Sequence, residues 1–153
     1  MIRQATIADA SRIAEILIFT KRVNYRKIFC NDKVSFGEMQ VYPLAQSYID
    51  NSDKLDGIWV YDDEFVKGMI HIDENQILEL YVDTFFENCG IGSKLVKFAI
   101  RQMNCDFLWV LEKNIKAIRF YQRHGFRITE EKQYEEGTNE YIVKMKRNII
   151  IKK

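Results

Sequence analysis

The chain has little of what marks a disulfide scaffold, a membrane protein or a disordered tail. Among its 153 residues there are one proline, seven glycines and three cysteines. Cys30, Cys89 and Cys105 are odd in number and lack paired metal spacing, which argues against a disulfide framework or a zinc site and suits a reducing compartment. No apolar run approaches a membrane span, and Met1 to Thr6 has no signal-peptide core, so a soluble, cytoplasmic protein without a membrane partner is expected. Net charge is also missing: 23 basic and 22 acidic residues are interleaved to give +1, leaving no basic stripe for a phosphate backbone and making nucleic acid a poor partner. What remains is an ordinary folded composition, 47% apolar and 29% charged, at the usual length of one domain.

No repeat or linker divides the chain; the hydrophobic period changes instead. Ile2 to Ala5 reads as a short strand, and Thr6 with Asp9 three residues later reads as the start of a helix carrying Ala10, Ile13, Ala14 and Leu17 to about residue 22. Residues 23 to 50 show no sustained period and read as mixed loop and helix. From residue 57 alternation predicts three antiparallel strands, at 57–61, 65–72 and 77–82, joined by short polar turns. A loop ending in Gly90-Ile91-Gly92 then precedes a helix from Ser93 to Met103, expected to be buried on most faces. A strand Phe107 to Leu111, a short helix Lys116 to His124 closed by Gly125, and a hairpin of 128–133 with 141–145 complete the order. A strand, a crossover helix and a parallel strand inside an otherwise antiparallel sheet make an α+β, or mixed α/β, architecture.

The segment Glu87-Asn88-Cys89-Gly90-Ile91-Gly92-Ser93 lies between a strand and a helix N-terminus, where unpaired N–H groups and the helix dipole favour an anion. Glycines there let the backbone approach a pyrophosphate. Alone, Gly-x-Gly also fits a plain tight turn. A Walker loop is excluded because Gly92-Ser93-Lys94 reverses the required order. A dinucleotide fingerprint fits partly: Glu112 is placed to be its ribose acid, but Leu95 stands where the third glycine belongs and the preceding strands join through turns.

With the strand Leu78 to Val82 before it and Asn114 to Phe126 after it, this loop resembles the Gln/Arg-x-x-Gly-x-Gly/Ala motif of the GNAT superfamily of N-acetyltransferases, over nearly the whole chain. Glu87 departs from the pattern, and since backbone groups make the grip its side chain is expected to point outward. The resemblance implies one GNAT domain over residues 1–148 with a short tail at 149–153. Its sheet would be mostly antiparallel with a parallel, splayed fourth and fifth strand and about four helices. It also implies acetyl-CoA as cofactor, held by Leu80, Tyr81, Val82, Glu87, Asn88, Cys89, Gly90, Ile91, Gly92, Ser93, Asn114 and Tyr121. The activity implied is acetyl transfer to a primary amine of a small molecule or peptide in a ternary complex; the alternative is a non-catalytic acyl-CoA sensor or assembly module. No metal is implied, and a homodimer stays open, with Ile149 to Ile151 either extending a strand or meeting a second subunit.

The chemistry selects candidates among these. An alkyl ammonium of pKa about 10 must lose a proton before attack, so a base is required. Glu79, read as sharing a strand face with Ile77 and Tyr81, is the first choice, acting directly or through water; His71 is the second. A backbone N–H near Tyr81 or Val82 suits the oxyanion. Tyr121 is the candidate acid toward the leaving thiolate, because a phenol of pKa about 10 stays protonated where a thiol of about 8.5 ionises; its plain alternative is packing beside Phe120 and Phe126. Cys89 faces the wrong end for a nucleophile, and Arg119, Arg123 and Lys94 read as ordinary helix-surface charges.

Overall fold

In the computed structural model, which describes residues 1–148, the period-two stretches assemble into one seven-stranded sheet. The strands are β1 (Ile2–Gln4), β2 (Ile58–Asp63), β3 (Phe65–Asp73), β4 (Gln76–Val82), β5 (Phe107–Leu111), β6 (Phe126–Tyr134) and β7 (Tyr141–Arg147). Their order is β1-β2-β3-β4-β5-β7-β6, and every pair is antiparallel except β4 with β5. The helices are α1 (Ala10–Phe29), α2 (Val41–Asp50), α3 (Ile91–Gln102) and α4 (Ile115–Arg123). The expected mixed sheet with a parallel fourth and fifth strand is the fold observed. The residues read as a C-terminal tail lie outside those described.

Each face of the sheet carries its own core. On one, Ile13, Ala14 and Leu17 of α1 and Ala45 and Tyr48 of α2 pack on Val60, Met69 and Tyr81. On the other, Leu95, Val96 and Ala99 of α3 and Ile118 of α4 pack on Ile70, Ile77, Val110 and Met145. Each large apolar side chain buried this way stabilises the fold by about 2 kcal/mol. Contrary to expectation α3 is buried on one stripe only, because Lys94, Lys97, Arg101 and Gln102 stay exposed.

Two boundaries differ from the sequence reading in ways that matter for function. Thr6 caps a single 3-10 turn, Ile7–Asp9, and α1 follows it to Phe29 rather than ending near residue 22. The Asp9 carboxylate accepts the Thr6 backbone N–H at 2.8 Å and two N–H groups of Arg3 at 2.8 and 2.9 Å, which fixes the helix start against β1. The extra turns of α1 bury no residue fully, although Tyr25 packs on the core; Arg22 adds polar contacts, donating to the carbonyls of Ser35 and Met39, in and after a π-helical segment at Lys33–Glu38. Pro43 sits in the first turn of α2, where its missing N–H costs no helical bond.

Candidate active site

The parallel pair sets the geometry. β4 and β5 are in register only at Gln76 with Phe107 and Ile77 with Leu108, while β5 stays paired with β7 as far as Leu111 and β4 with β3 as far as Val82. Beyond Ile77 the two strands therefore diverge, and the β5-facing edge of β4 has no partner strand. An open cavity of about 260 Å³ occupies the splay. Leu80, Tyr81 and Val82 line it from β4, Gly90, Ile91, Gly92 and Ser93 from the start of α3, and Asn114 and Tyr121 from α4. Glu87 and Asn88 also line it, and Cys89, which is exposed, does not.

The helix N-terminus at this cavity lacks side-chain capping. Gly90 is the N-cap with φ +81, and the first helical bond runs from the Lys94 N–H to the Gly90 carbonyl at 3.0 Å. The N–H groups of Ile91, Gly92 and Ser93 consequently have no acceptor within the helix, and the dipole adds positive potential at the same place. α3 starts two residues earlier than its sequence pattern indicates, because Gly90 supplies the left-handed residue immediately before it. Gly92 is already helical, and its role is clearance: a Cβ there would lie 3.3 Å from the Phe120 ring.

Across the splay, Asn114 caps α4 by accepting the Ala117 N–H at 3.2 Å. This occupies its carbonyl oxygen and leaves its amide N–H groups for a ligand. Tyr121 is buried edge-on to Phe120 and Phe126, at 5.2 and 5.8 Å between ring centres. Burial, with a smaller contribution from Tyr25, pushes its phenol well above the ordinary value. Packing and cavity-lining are thus combined in one residue.

The reading of Glu79 needs correction. β3 and β4 slip register between His71 with Glu79 and Ile72 with Ile77, so Leu78 is an extra, bulged residue. Ile77, Leu80 and Val82 consequently belong to the α3 face, and Glu79 shares the α1/α2 face with Tyr81 but not with Ile77. Glu79 pairs with Lys21 of α1 at 3.4 Å and is not in the cavity wall. His71 stands directly opposite it on β3. The phenols of Tyr25 and Tyr48 are raised by burial and then by the Glu79 charge, and that of Tyr81 by burial, Tyr25 and Glu79. These phenols therefore stand within the field of one carboxylate.

Thr20 and Asn24 of α1, one helical turn apart, also line the cavity and were not singled out in the sequence. Their polar i, i+4 spacing on the extension of a buried stripe was the available signal. Phe86, Lys116, Ala117, Phe120 and Arg123 complete the wall. Lys94 instead donates to the Tyr61 hydroxyl at 3.3 Å, and Arg119 is exposed away from the cavity, whereas the equally exposed Arg123 also lines its rim. Glu87 does not turn outward as expected; its partly buried carboxylate is bonded to Lys116 at 3.0 Å.

Residues 54–128 match the family model described as acetyltransferase (GNAT) domain. Over that stretch, just under half of the chain, the protein is similar to GNAT acetyltransferases. Over 77 residues it is 31% identical to the spermine/spermidine N(1)-acetyltransferase of Bacillus subtilis (strain 168), covering 46% of this chain and 47% of that protein. It is 34% identical over 93 residues to the uncharacterized protein YxbD of the same organism, covering 56% and 58%. The matches thus span about half the length of these curated relatives. The GNAT fold extends further: the PaiA N-acetyltransferase of Thermoplasma acidophilum in complex with coenzyme A aligns over 95% of this chain and 98% of its own, at a TM-score of 0.68 and 21% identity. A ribosomal-protein-alanine N-acetyltransferase from Brucella melitensis aligns over 96% and 98%, at 0.70 and 18%.

Proposed function

We propose that the protein transfers an acetyl group from acetyl-CoA to a primary amine by direct attack in a ternary complex. The observation that carries this reading is the meeting of three groups in one cavity: the unpaired edge of β4, the uncapped start of α3 and the side of Tyr121. They fit the three parts of such a cofactor. The free edge of Leu80 to Val82 suits an extended, amide-bearing arm laid beside it as a strand. The N–H groups of Ile91 to Ser93 suit a diphosphate. Acetyl-CoA, when bound, supplies the acetyl group activated as a thioester.

The chain's own residues do the rest. The backbone of β4 orients the arm and offers an N–H near Tyr81 or Val82 to the carbonyl oxygen as charge develops there. Tyr121 donates a hydrogen bond to the departing sulfur. Because burial raises this phenol further above a thiol's pKa of about 8.5, complete proton transfer to a thiolate is uphill, and the contribution is a bond that strengthens as negative charge builds. On the α1/α2 face, Glu79 receives the ammonium proton through water, since it lies outside the cavity wall.

The acceptor is a small-molecule or peptide amine, and the spermine/spermidine relative makes polyamines the first acceptors to try. Calorimetric titration with acetyl-CoA and NAD in parallel, followed by an amine panel of polyamines, amino acids and peptide N-termini, tests the reading. Saturable acetyl-CoA binding and acetylated product are expected. No acetyl-CoA binding would sink the proposal, NAD binding would favour a dinucleotide site, and binding without any acetylation would leave a non-catalytic acyl-CoA module.

A further inference from the structure

The two walls of the splay are joined by one ion pair. Glu87 ends the short 3-10 segment leading from β4 toward α3, Lys116 lies in the first turn of α4, and their charged atoms are 3.0 Å apart. Both line the cavity. The Glu87 side chain is 29% exposed, whereas Lys116 is 75% exposed and reaches in from solvent. Lys116 and Arg123 are the cationic side chains among the cavity-lining residues. Seven residues separate them on α4, about 10 Å along the axis, so Arg123 is placed toward the Tyr121 end and Lys116 toward Glu87.

This arrangement sets two anions in competition. A carboxylate close to the free N–H groups of α3 lies in the field that favours an incoming phosphate, and it repels that phosphate by the same Coulomb law that binds it to Lys116. Resting on the acetyl-CoA reading, we infer that Lys116 is an affinity-determining residue that passes from Glu87 to the cofactor diphosphate on binding. Glu87 is then the competing anion, and it sets how tightly the donor is held. An exposed lysine makes the exchange easily, because it gives up a solvent-screened pair worth no more than about 1 kcal/mol.

The test is calorimetric titration of CoA and of 3′-dephospho-CoA, which keeps the diphosphate, into wild type, Glu87→Gln, Lys116→Met and the double variant. We expect Glu87→Gln to tighten CoA binding about threefold and Lys116→Met to weaken it about fivefold. In the Lys116→Met background the Glu87→Gln gain should grow, because the carboxylate there is unopposed. These differences persist with 3′-dephospho-CoA and shrink in 0.5 M NaCl, where screening falls to about 4 Å. Lys116→Met binding CoA as wild type does, effects confined to the ligand carrying the 3′-phosphate, or a loss unmoved by salt would each overturn the inference. Failure of wild type to bind CoA at all would remove the cofactor reading itself, and the inference with it, so the two failures are told apart by the wild-type titration.

Discussion

The hydroxyl oxygens of Tyr25 and Tyr81 lie 3.4 Å apart where α1 meets β4, on the sheet face opposite α3. With Tyr48 and Tyr121 they form a group of phenols all raised by burial, Tyr48 to about 12. A phenol whose folded pKa exceeds its unfolded value of about 10 contributes nothing to pH dependence below pH 10. Above it, the unfolded chain releases protons that the fold retains, so stability falls as pH rises. Each such phenol should add about 1.4 kcal/mol per pH unit to the slope between its two pKa values. Chemical denaturation from pH 8 to 11.5 should show a flat region followed by this fall, shallower in Tyr121→Phe. A flat profile to pH 11.5 would contradict the burial of these hydroxyls.

Tyr121→Phe keeps the ring between Phe120 and Phe126 and removes only the donor. Acetyl-CoA affinity should remain within about twofold, and kcat should drop about a hundredfold, the lower range for loss of a positioned proton donor. Equal turnover across pH in stopped-flow or steady-state assays would return Tyr121 to a packing role.

Glu79→Gln separates base chemistry from structure by its pH dependence. The pair with Lys21 is partly exposed, so stability should change by less than about 1 kcal/mol. Turnover should fall steeply near neutrality and recover toward the pKa of the acceptor amine, where the substrate arrives deprotonated. If instead the loss is the same at every pH, Glu79 binds or orients the acceptor and does not take its proton.

Gly92→Ala sets a helix-favouring substitution, worth about 1 kcal/mol, against a Cβ placed 3.3 Å from Phe120. We expect a melting temperature near that of wild type and a loss of acetyl-CoA affinity, because the displaced Phe120 ring lines the cavity. Gly92→Glu should abolish binding. Wild-type affinity in both variants would show that Phe120 yields without entering the site.

The strands were legible because alternation between Ile58 and Val82 and the unbroken apolar run Phe107 to Leu111 are local signals, and β5 has the bounds its sequence indicates. The GNAT motif was legible because Gly90, Gly92, Asn114 and Tyr121 fall at fixed places between those strands. Other features depend on partners remote in sequence. The last turns of α1 are held by Tyr25 on the core and by Arg22 reaching Ser35 and Met39, and no hydrophobic period encodes the latter contacts. The Leu78 bulge exists only relative to β3, and without it a count by twos puts Ile77 and Tyr81 on one face. Likewise the orientation of Glu87 follows from Lys116, 29 residues away.

That single inserted residue has a consequence for how such a chain can change its trade. After Leu78, β4 presents Glu79 and Tyr81 to the α1/α2 face and Leu80 and Val82 to α3, while its free edge is backbone alone. An edge of backbone is indifferent to what side chains it carries. Under the proposed acetyl transfer, substitution of the partly exposed Glu79 would retune the acceptor side without disturbing the backbone handhold beside it, so one strand would let a lineage exchange its clients while keeping the same currency.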